Sequence, residues 1–366
     1  MKILFDARML NTTGIGTYTR NILQEFDKSL EDIEVHAVMN KRQIHGLKLG
    51  SRVRIIPMPF EVPVYSLTEQ VVLPYCSNKI KPDLIHFPNF NTSFLGKFPS
   101  VVTIHDMIYY LFPQACPSLP AQVYAKIMLR HSVNRSRMIV TDSLFSKNDI
   151  VTHFDINPDK VRVIPVGVNS NYMPVKELGY LYKKYNLPKK FILYLGNHET
   201  RKNIVGLLEA YNASRCKGDY FLVIGGKRDR RRREISKTIK NLSLENRVVF
   251  TGFVDIKDMP ALYSAASLFV FPSFYEGFGL PPLEAMACGT AVICSNRTSL
   301  PEAVGDAAVT IDPDNTDAIA EAMDNVLSDD SLKADLINKG FAHIKKFTWK
   351  DTVSGLIEIY KETLSL

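Results

Sequence analysis

A chain of 366 residues is long enough for two domains at about 150 residues each, with one or two sizeable cores. Its 46% hydrophobic and 23% charged residues, with 19 Gly and 20 Pro, exclude disordered, collagen-like and low-complexity classes, and five Cys without a C-x-x-C pair argue against a disulfide framework or structural zinc site. The net charge is +7, and residues 1–172 hold 19 Lys and Arg against 14 Asp and Glu, where the rest holds 26 against 24; that excess fits an anionic partner, be it phosphate, a membrane surface or nucleic acid.

The chain opens on Met1-Lys2-Ile3-Leu4-Phe5 and then Asp6, too short an apolar run for a signal peptide. No later run reaches the ~18 apolar residues of a membrane span. A cytosolic protein, soluble or attached to a membrane surface, is expected. Short runs rich in Val, Ile and Phe then alternate with helical stretches. Strands are predicted at 2–5, 34–39, 53–57, 84–87, 100–105, 138–142 and 161–166, and again at 191–195, 220–224, 247–251, 268–272, 291–294 and 308–311. Nearly continuous apolar strands between helices predict buried parallel sheets covered on both faces. A polar, turn-rich stretch from Asn169 to Pro174 divides the series. Two doubly wound domains with a cleft between them are expected, 1–172 and 173–349.

Ligands of open α/β sheets bind outside the carboxyl ends of strands, so each strand end is a place to look for chemistry. After strand 2–5 comes the run D-A-R-M-L-N-T-T-G-I-G-T from Asp6 to Thr17, opening a helix whose apolar stripe is Tyr18, Ile22, Phe26 and Leu30. Gly14 and Gly16 would let a ligand approach the backbone at a helix N-terminus, although a tight turn has the same sequence. His105 and Asp106 end the strand at 100–105, where a structural and a catalytic histidine are equally well accounted for. A helix over 121–137 places Lys126, Arg130 and Arg137 on one face with Arg135 beside it, either a plain basic surface or a contact with anionic lipid.

In the second half, Gly196 leads through Glu199 and Thr200 to Arg201, Lys202 and Asn203. Two exposed cations at a helix start oppose the helix dipole, so a bound anion such as a diphosphate accounts for them better than a solvated turn. The cluster at 227–233 holds six cations in seven residues. It reads as a solvated loop rather than a nucleic-acid patch, because no base-stacking aromatics interleave with it. Next comes P-S-F-Y-E-G-F-G-L-P-P-L-E-A-M-A-C-G, from Pro272 to Gly289: a strand, a Gly-x-Gly loop, and a Pro pair suited to a first helical turn. Glu276 stands before the loop, and Glu284 is placed in the first turn of the helix. Asp312 and Asp314 have a metal-like spacing, but with Pro313 between them they read as a turn.

The Glu276–Glu284 run closely resembles the E-x7-E motif of retaining GT-B glycosyltransferase family 4. Similarity extends to Asp6–Arg20 (the glycine loop), Thr141–Lys147, Gly196–Asn203, Thr251–Val254 and Leu300–Glu302, and so touches nearly the whole chain. Thr200 in place of a common Pro and Asp142 in place of a small residue depart from the family pattern.

The resemblance implies an α/β GT-B fold, with two Rossmann-like, doubly wound domains facing a central cleft. The first binds the acceptor and the second a nucleotide-sugar, and a last helix over 350–366 packs back on the first. It implies a retaining hexosyltransferase without metal or other cofactor. Arg201 and Lys202 would neutralise the donor diphosphate, with the backbone at Gly14 and Gly16 helping. Glu276 with Gly277, Phe278, Gly279 and Leu280 would hold the transferred sugar, Glu284 the ribose, and Val254 would border the base, while His105 would lie near the reacting carbon. Similarity to bacterial mannosyltransferases of surface-polysaccharide assembly makes GDP-mannose the expected donor, with a UDP-hexose or another GDP-sugar as the alternative. The expected acceptor is a glycan or lipid-linked glycan at the inner face of the cytoplasmic membrane. A non-catalytic nucleotide-sugar binder and a nucleic-acid binder are the readings from other classes.

Overall fold

A computed structural model describes the whole chain except residues 13, 30, 31, 45, 46, 48, 117 and 228–232. Leu30 of the expected helix stripe, and most of the 227–233 cluster, lie outside the described residues. The described chain forms two compact units, Met1–Gly167 with Thr348–Leu366, and Val168–Phe347.

The first unit is built on seven parallel strands: β1 (Lys2–Asp6), β2 (Glu34–Met39), β3 (Val53–Pro57), β4 (Leu84–Phe87), β5 (Ser100–Thr103), β6 (Met138–Thr141) and β7 (Val161–Val163). Their order is β3-β2-β1-β4-β5-β6-β7, with Ile3 opposite both Val35 and Leu84. The second unit has six: β8 (Phe191–Leu195), β9 (Phe221–Gly225), β10 (Val248–Gly252), β11 (Leu268–Phe271), β12 (Val292–Ser295) and β13 (Val309–Ile311), ordered β10-β9-β8-β11-β12-β13. The central strands are buried on both faces, which is why they read as unbroken apolar runs. In each sheet the order reverses once, between β1 and β4 and between β8 and β11. Such a reversal is where ligands of open α/β sheets bind, outside the carboxyl ends of the strands.

The last helix, Trp349–Ser365, belongs to the first unit. Thr348 caps it by accepting from Asp351 N at 3.1 Å. It packs on helix Gly14–Lys28, where Tyr360 stacks on Phe26 with ring centroids 6.1 Å apart. The chain leaves the first unit at Gly167 and re-enters it at Thr348, five and two residues before the divisions read from sequence. Close approach sets the place: a Cβ on Gly167 would stand 2.3 Å from the Trp349 nitrogen. Among the described residues no helix is long and apolar enough to cross a membrane.

Candidate active site

In the second unit the reversal between β8 and β11 brings together two segments singled out by sequence. The loop after β8 passes through a short 3-10 turn, Thr200–Lys202, into helix Ile204–Ala213. Asn203 joins the two in a left-handed conformation, and its side chain accepts from Gly206 N. The loop after β11 docks on this turn through its backbone: Phe274 N donates to the Arg201 carbonyl at 2.7 Å.

That docking places Glu276 against both cations. Lys202 Nζ lies 2.5 Å from Glu276 Oε1, and Arg201 Nη1 lies 3.3 Å from Oε2. Arg201 also donates to Glu199 at 2.7 Å and to the Tyr275 carbonyl at 2.9 Å. The expected exposed cations are not what the structure shows. Lys202 is 7% and Glu276 8% exposed, and the Lys202 ammonium sits 4.8 Å above the Phe271 ring. Burial is tolerated because each charge meets its opposite at contact distance. Burial pushes the Glu276 carboxyl up, but Lys202 and Arg201 outweigh it and hold the group below its ordinary value. Burial also lowers the Lys202 ammonium, against the pull of Glu276. Arg201 and Lys202 thus meet two carboxylates, Glu276 and Glu199, and these ion pairs hold both cations in place.

The Gly-x-Gly loop is tied down from beneath. Ser299 Oγ donates to the carbonyls of Glu276 and Phe278, 2.9 Å each, and Glu276 N donates to Thr298 Oγ1 at 3.1 Å. Gly277 is buried, and Phe278 packs edge-on against Phe347 at 5.8 Å. Gly279 has φ +115, and a Cβ there would meet Leu300 at 2.7 Å, so both conformation and space demand glycine.

Helix Leu280–Ala287 starts directly after Gly279, with Pro281 and Pro282 in its first turn. Glu284 is therefore in the second turn. Its placement in the first turn is corrected by how early Gly279 lets the helix begin. The Glu284 carboxyl accepts from Tyr263 Oη at 3.0 Å. Burial pushes it up to about 7, with the Tyr263 and Tyr172 hydroxyls holding it back. Val254 is buried just after β10. Arg297 donates to Asp312 Oδ1 at 2.9 Å and also engages Asp314, so those two carboxylates are occupied by a cation, as suits a turn.

In the first unit, Gly14 opens its helix, and among the described residues beyond its own turn no atom stands within 4 Å of where a Cβ would be. Gly16 differs: a Cβ there would fall 2.6 Å from the Leu10 carbonyl oxygen, so close packing of the loop itself already requires glycine. His105 lies two residues past the end of β5, shorter than the strand predicted to 105. Its carboxylate partner is Asp142, at 2.7 Å, not the neighbouring Asp106, which accepts from Ile108 N in a turn. The basic helix spans Leu119–Arg135, so Arg137 falls outside it, and its guanidinium donates to the Thr363 carbonyl instead.

Sequence reasoning missed several residues here. Ser273, Thr298, Ser299, Tyr172 and Tyr263 carried no local signal. A buried triad also went unseen: Arg8 donates to Asp6 Oδ2 at 2.6 Å and to Glu69 Oε2 at 2.7 Å, and Tyr124 donates to Glu69 Oε1 at 2.5 Å. The one available hint was a carboxylate at the end of β1 followed two residues later by an arginine.

Comparison with known proteins covers both units. Residues 12–172 match the family model described as Glycosyltransferase Family 4, and residues 183–343 match Glycosyl transferases group 1. The chain is 32% identical over 381 residues to O-antigen chain mannosyltransferase B of Escherichia coli, covering 99% of this chain and 100% of that one. It is 34% identical over 304 residues to the serotype-specific mannosyltransferase WbdA of E. coli, covering 78% of this chain and 37% of that longer one. Among solved structures, sucrose-phosphate synthase from Thermosynechococcus elongatus superposes with a TM-score of 0.79 at 21% identity, covering 100% and 99% of the two chains. The Anabaena HepE protein in complex with UDP and glucose gives 0.78 at 19% identity, covering 99% of each. With two matched domains, two doubly wound sheets and a full-length relative, this chain belongs to the GT-B glycosyltransferases of the family 4 and group 1 type.

Proposed function

We propose that this glycosyltransferase moves mannose from GDP-mannose onto a glycan or lipid-linked glycan in bacterial surface-polysaccharide assembly, with retention of configuration. The observation that carries the reading is the end-to-end match to an O-antigen chain mannosyltransferase. A thermal-shift screen tests it, since a ligand that binds only the native state stabilises it by about 2.7 kcal/mol at a hundredfold excess over Kd. GDP and GDP-mannose are expected to raise the midpoint. A rise with UDP-glucose but not with GDP-mannose would replace the donor.

In this reading Arg201 and Lys202 face the donor diphosphate, whose departing charge must be stabilised, and a preorganised cation does so without rearranging during the reaction. Glu276 and the backbone of Gly277, Phe278, Gly279 and Leu280 hold the transferred sugar, Glu284 accepts from the ribose hydroxyls, and Val254 borders the base. His105 stands beside the transferred sugar. Because Arg201 and Lys202 supply the positive charge while Arg297 occupies Asp312 and Asp314, activity is expected to survive EDTA. Complete loss, restored by Mg²⁺ or Mn²⁺, would refute metal independence.

The Glu284 carboxyl, pushed up to about 7 by burial, gives a pH test with a definite sign. Only the ionised form offers every lone pair to ribose hydroxyls. Nucleoside diphosphate binding should therefore weaken as pH falls through about 7, and Glu284→Gln should remove that dependence. A wild-type affinity flat from pH 6 to 8 in calorimetry would contradict the ribose assignment.

The same proposal places the protein at the inner face of the cytoplasmic membrane. On helix Leu119–Arg135 the exposed Lys126 and Arg130 share a surface with exposed Leu119, Val123 and Ile127, cations and apolar anchors together. Vesicle co-sedimentation should require anionic lipid and weaken with salt. Equal binding to neutral vesicles, or none to either, would count against it.

A further inference from the structure

His105 has an oxygen acceptor on each ring nitrogen. Nδ1 lies 2.7 Å from Asp142 Oδ2, and Nε2 lies 3.1 Å from the Pro88 carbonyl oxygen. A carbonyl never donates, and an ionised carboxylate only accepts. A neutral imidazole has a single N–H, so one contact would set a ring lone pair against an oxygen. The imidazolium has an N–H for each.

Asp142 is placed as an acceptor. It stands immediately before Ser143, the N-cap of helix Leu144–Phe154, where the helix dipole favours an ionised carboxylate. It is buried, and its second oxygen has no hydrogen-bond partner among the described residues. A buried carboxylate needs an opposite charge, and the ring of His105 is the group in contact with it.

We infer that Asp142 is a positioning residue that holds His105 as a doubly protonated imidazolium, and that turnover uses this fixed positive charge rather than a neutral ring that takes up a proton. The second half rests on the proposed reading in which His105 stands beside the transferred sugar. Both ring protons point at acceptors, so His105 has no lone pair with which to act as a base. Its contribution is charge and orientation. Asp142 is where the sequence departs from the small residue of the family pattern, so the device belongs to this chain and not to the resemblance.

The other titratable groups facing the ring agree. Burial pushes His105 down, but Asp142 outweighs it, with Asp106 adding to the same side, and the net shift is upward. His86, on β4, is pushed down to about 3 by burial and then by His105, and stays neutral. Tyr18 meets the ring edge-on at 4.7 Å; burial and then Asp142 raise its hydroxyl, so it too is neutral. The sign follows. An ordinary histidine is charged below about 6.5, so the effect of Asp142 appears above that pH and fades as pH rises through the raised value.

Histidine-selective nitrogen-15 NMR of the full chain tests the charge, with the His105 signal assigned by its loss in His105→Gln. Both ring nitrogens are expected in the protonated range at pH 7.5 in the wild type, and a neutral ring there overturns the inference. Sugar transfer measured from pH 6 to 8 tests its use. The loss in Asp142→Asn should grow with pH, becoming at least about tenfold larger at pH 8 than at pH 6, and Asp142→Glu should recover the alkaline activity. A loss of equal size across that range assigns Asp142 a merely structural role and overturns the second half. Failure of the wild type to transfer sugar from any nucleotide-sugar would instead count against the proposed function, while the NMR result stands by itself.

Discussion

Lys202→Ala is expected to lower kcat/KM by on the order of 10²-fold or more and also to destabilise the fold. In the proposed reading the rate loss follows from removing a cation that faces the departing diphosphate. The stability loss follows from burial: Lys202 is in contact with Glu276, and both are almost wholly buried. Without the ammonium, a buried carboxylate is left with Arg201 at 3.3 Å as its remaining cation. Leaving such a group under-satisfied costs about 1–3 kcal/mol. The second substitution Glu276→Gln, added to Lys202→Ala, should restore part of the stability, because the orphaned charge is gone, and none of the rate. Chemical denaturation and steady-state kinetics on the two single variants and the double variant measure both quantities, and contact predicts strong coupling. A folded Lys202→Ala protein with an unchanged rate would refute the role.

Glu276→Gln and Glu284→Gln are expected to fail in different ways. In the proposed reading Glu284 contacts a part of the donor that does not change during the reaction, so its loss would remove uniform binding and raise KM. Glu276 is proposed to lie beside the sugar, which gains positive character as its bond to phosphate breaks, so a carboxylate there would matter most in the transition state. Its loss should lower kcat while free nucleoside diphosphate binds at least as well as before. The structure strengthens the second half of that statement, because removing the charge of Glu276 frees Lys202 and Arg201 for the phosphates. Calorimetry with GDP alongside kinetics separates the two variants. Lost nucleotide affinity in Glu276→Gln with affinity kept in Glu284→Gln would reverse the assignments.

Each strand of both sheets overlaps a predicted run, and the central ones were the most legible, since a strand buried on both faces announces itself locally. The ends were less so: the run at 161–166 pairs only as far as Val163, because Pro165 brings no N–H to a ladder. The site was legible as segments and not as contacts. Lys202 and Glu276 lie 74 positions apart, and what joins them is the reversal of strand order between β8 and β11, a property of the whole sheet. The same holds for Asp142 and His105, 37 apart. The carboxylate next to His105 in the chain is Asp106, which the turn uses for itself. The burial of Lys202 could not be read either, because a lysine next to a helix start looks solvated until the loop that covers it is in place.

The triad of Arg8, Asp6 and Glu69 bears on how this sequence can change over time. Each member is buried, and Arg8 serves both carboxylates. Removing Arg8 strands two buried carboxylates, and loss of one partner of a buried ion pair costs about 3–5 kcal/mol, although replacing the whole set by apolar residues of like volume is often neutral. A total stability of about 5–15 kcal/mol leaves little room for that intermediate. Arg8 cannot be exchanged while both carboxylates remain, so the three positions form a trap in sequence space. Invariance of Asp6, Arg8 and Glu69 among relatives would record the depth of that trap rather than contact with a substrate, and a search for binding residues by invariance alone would be misled at the end of β1.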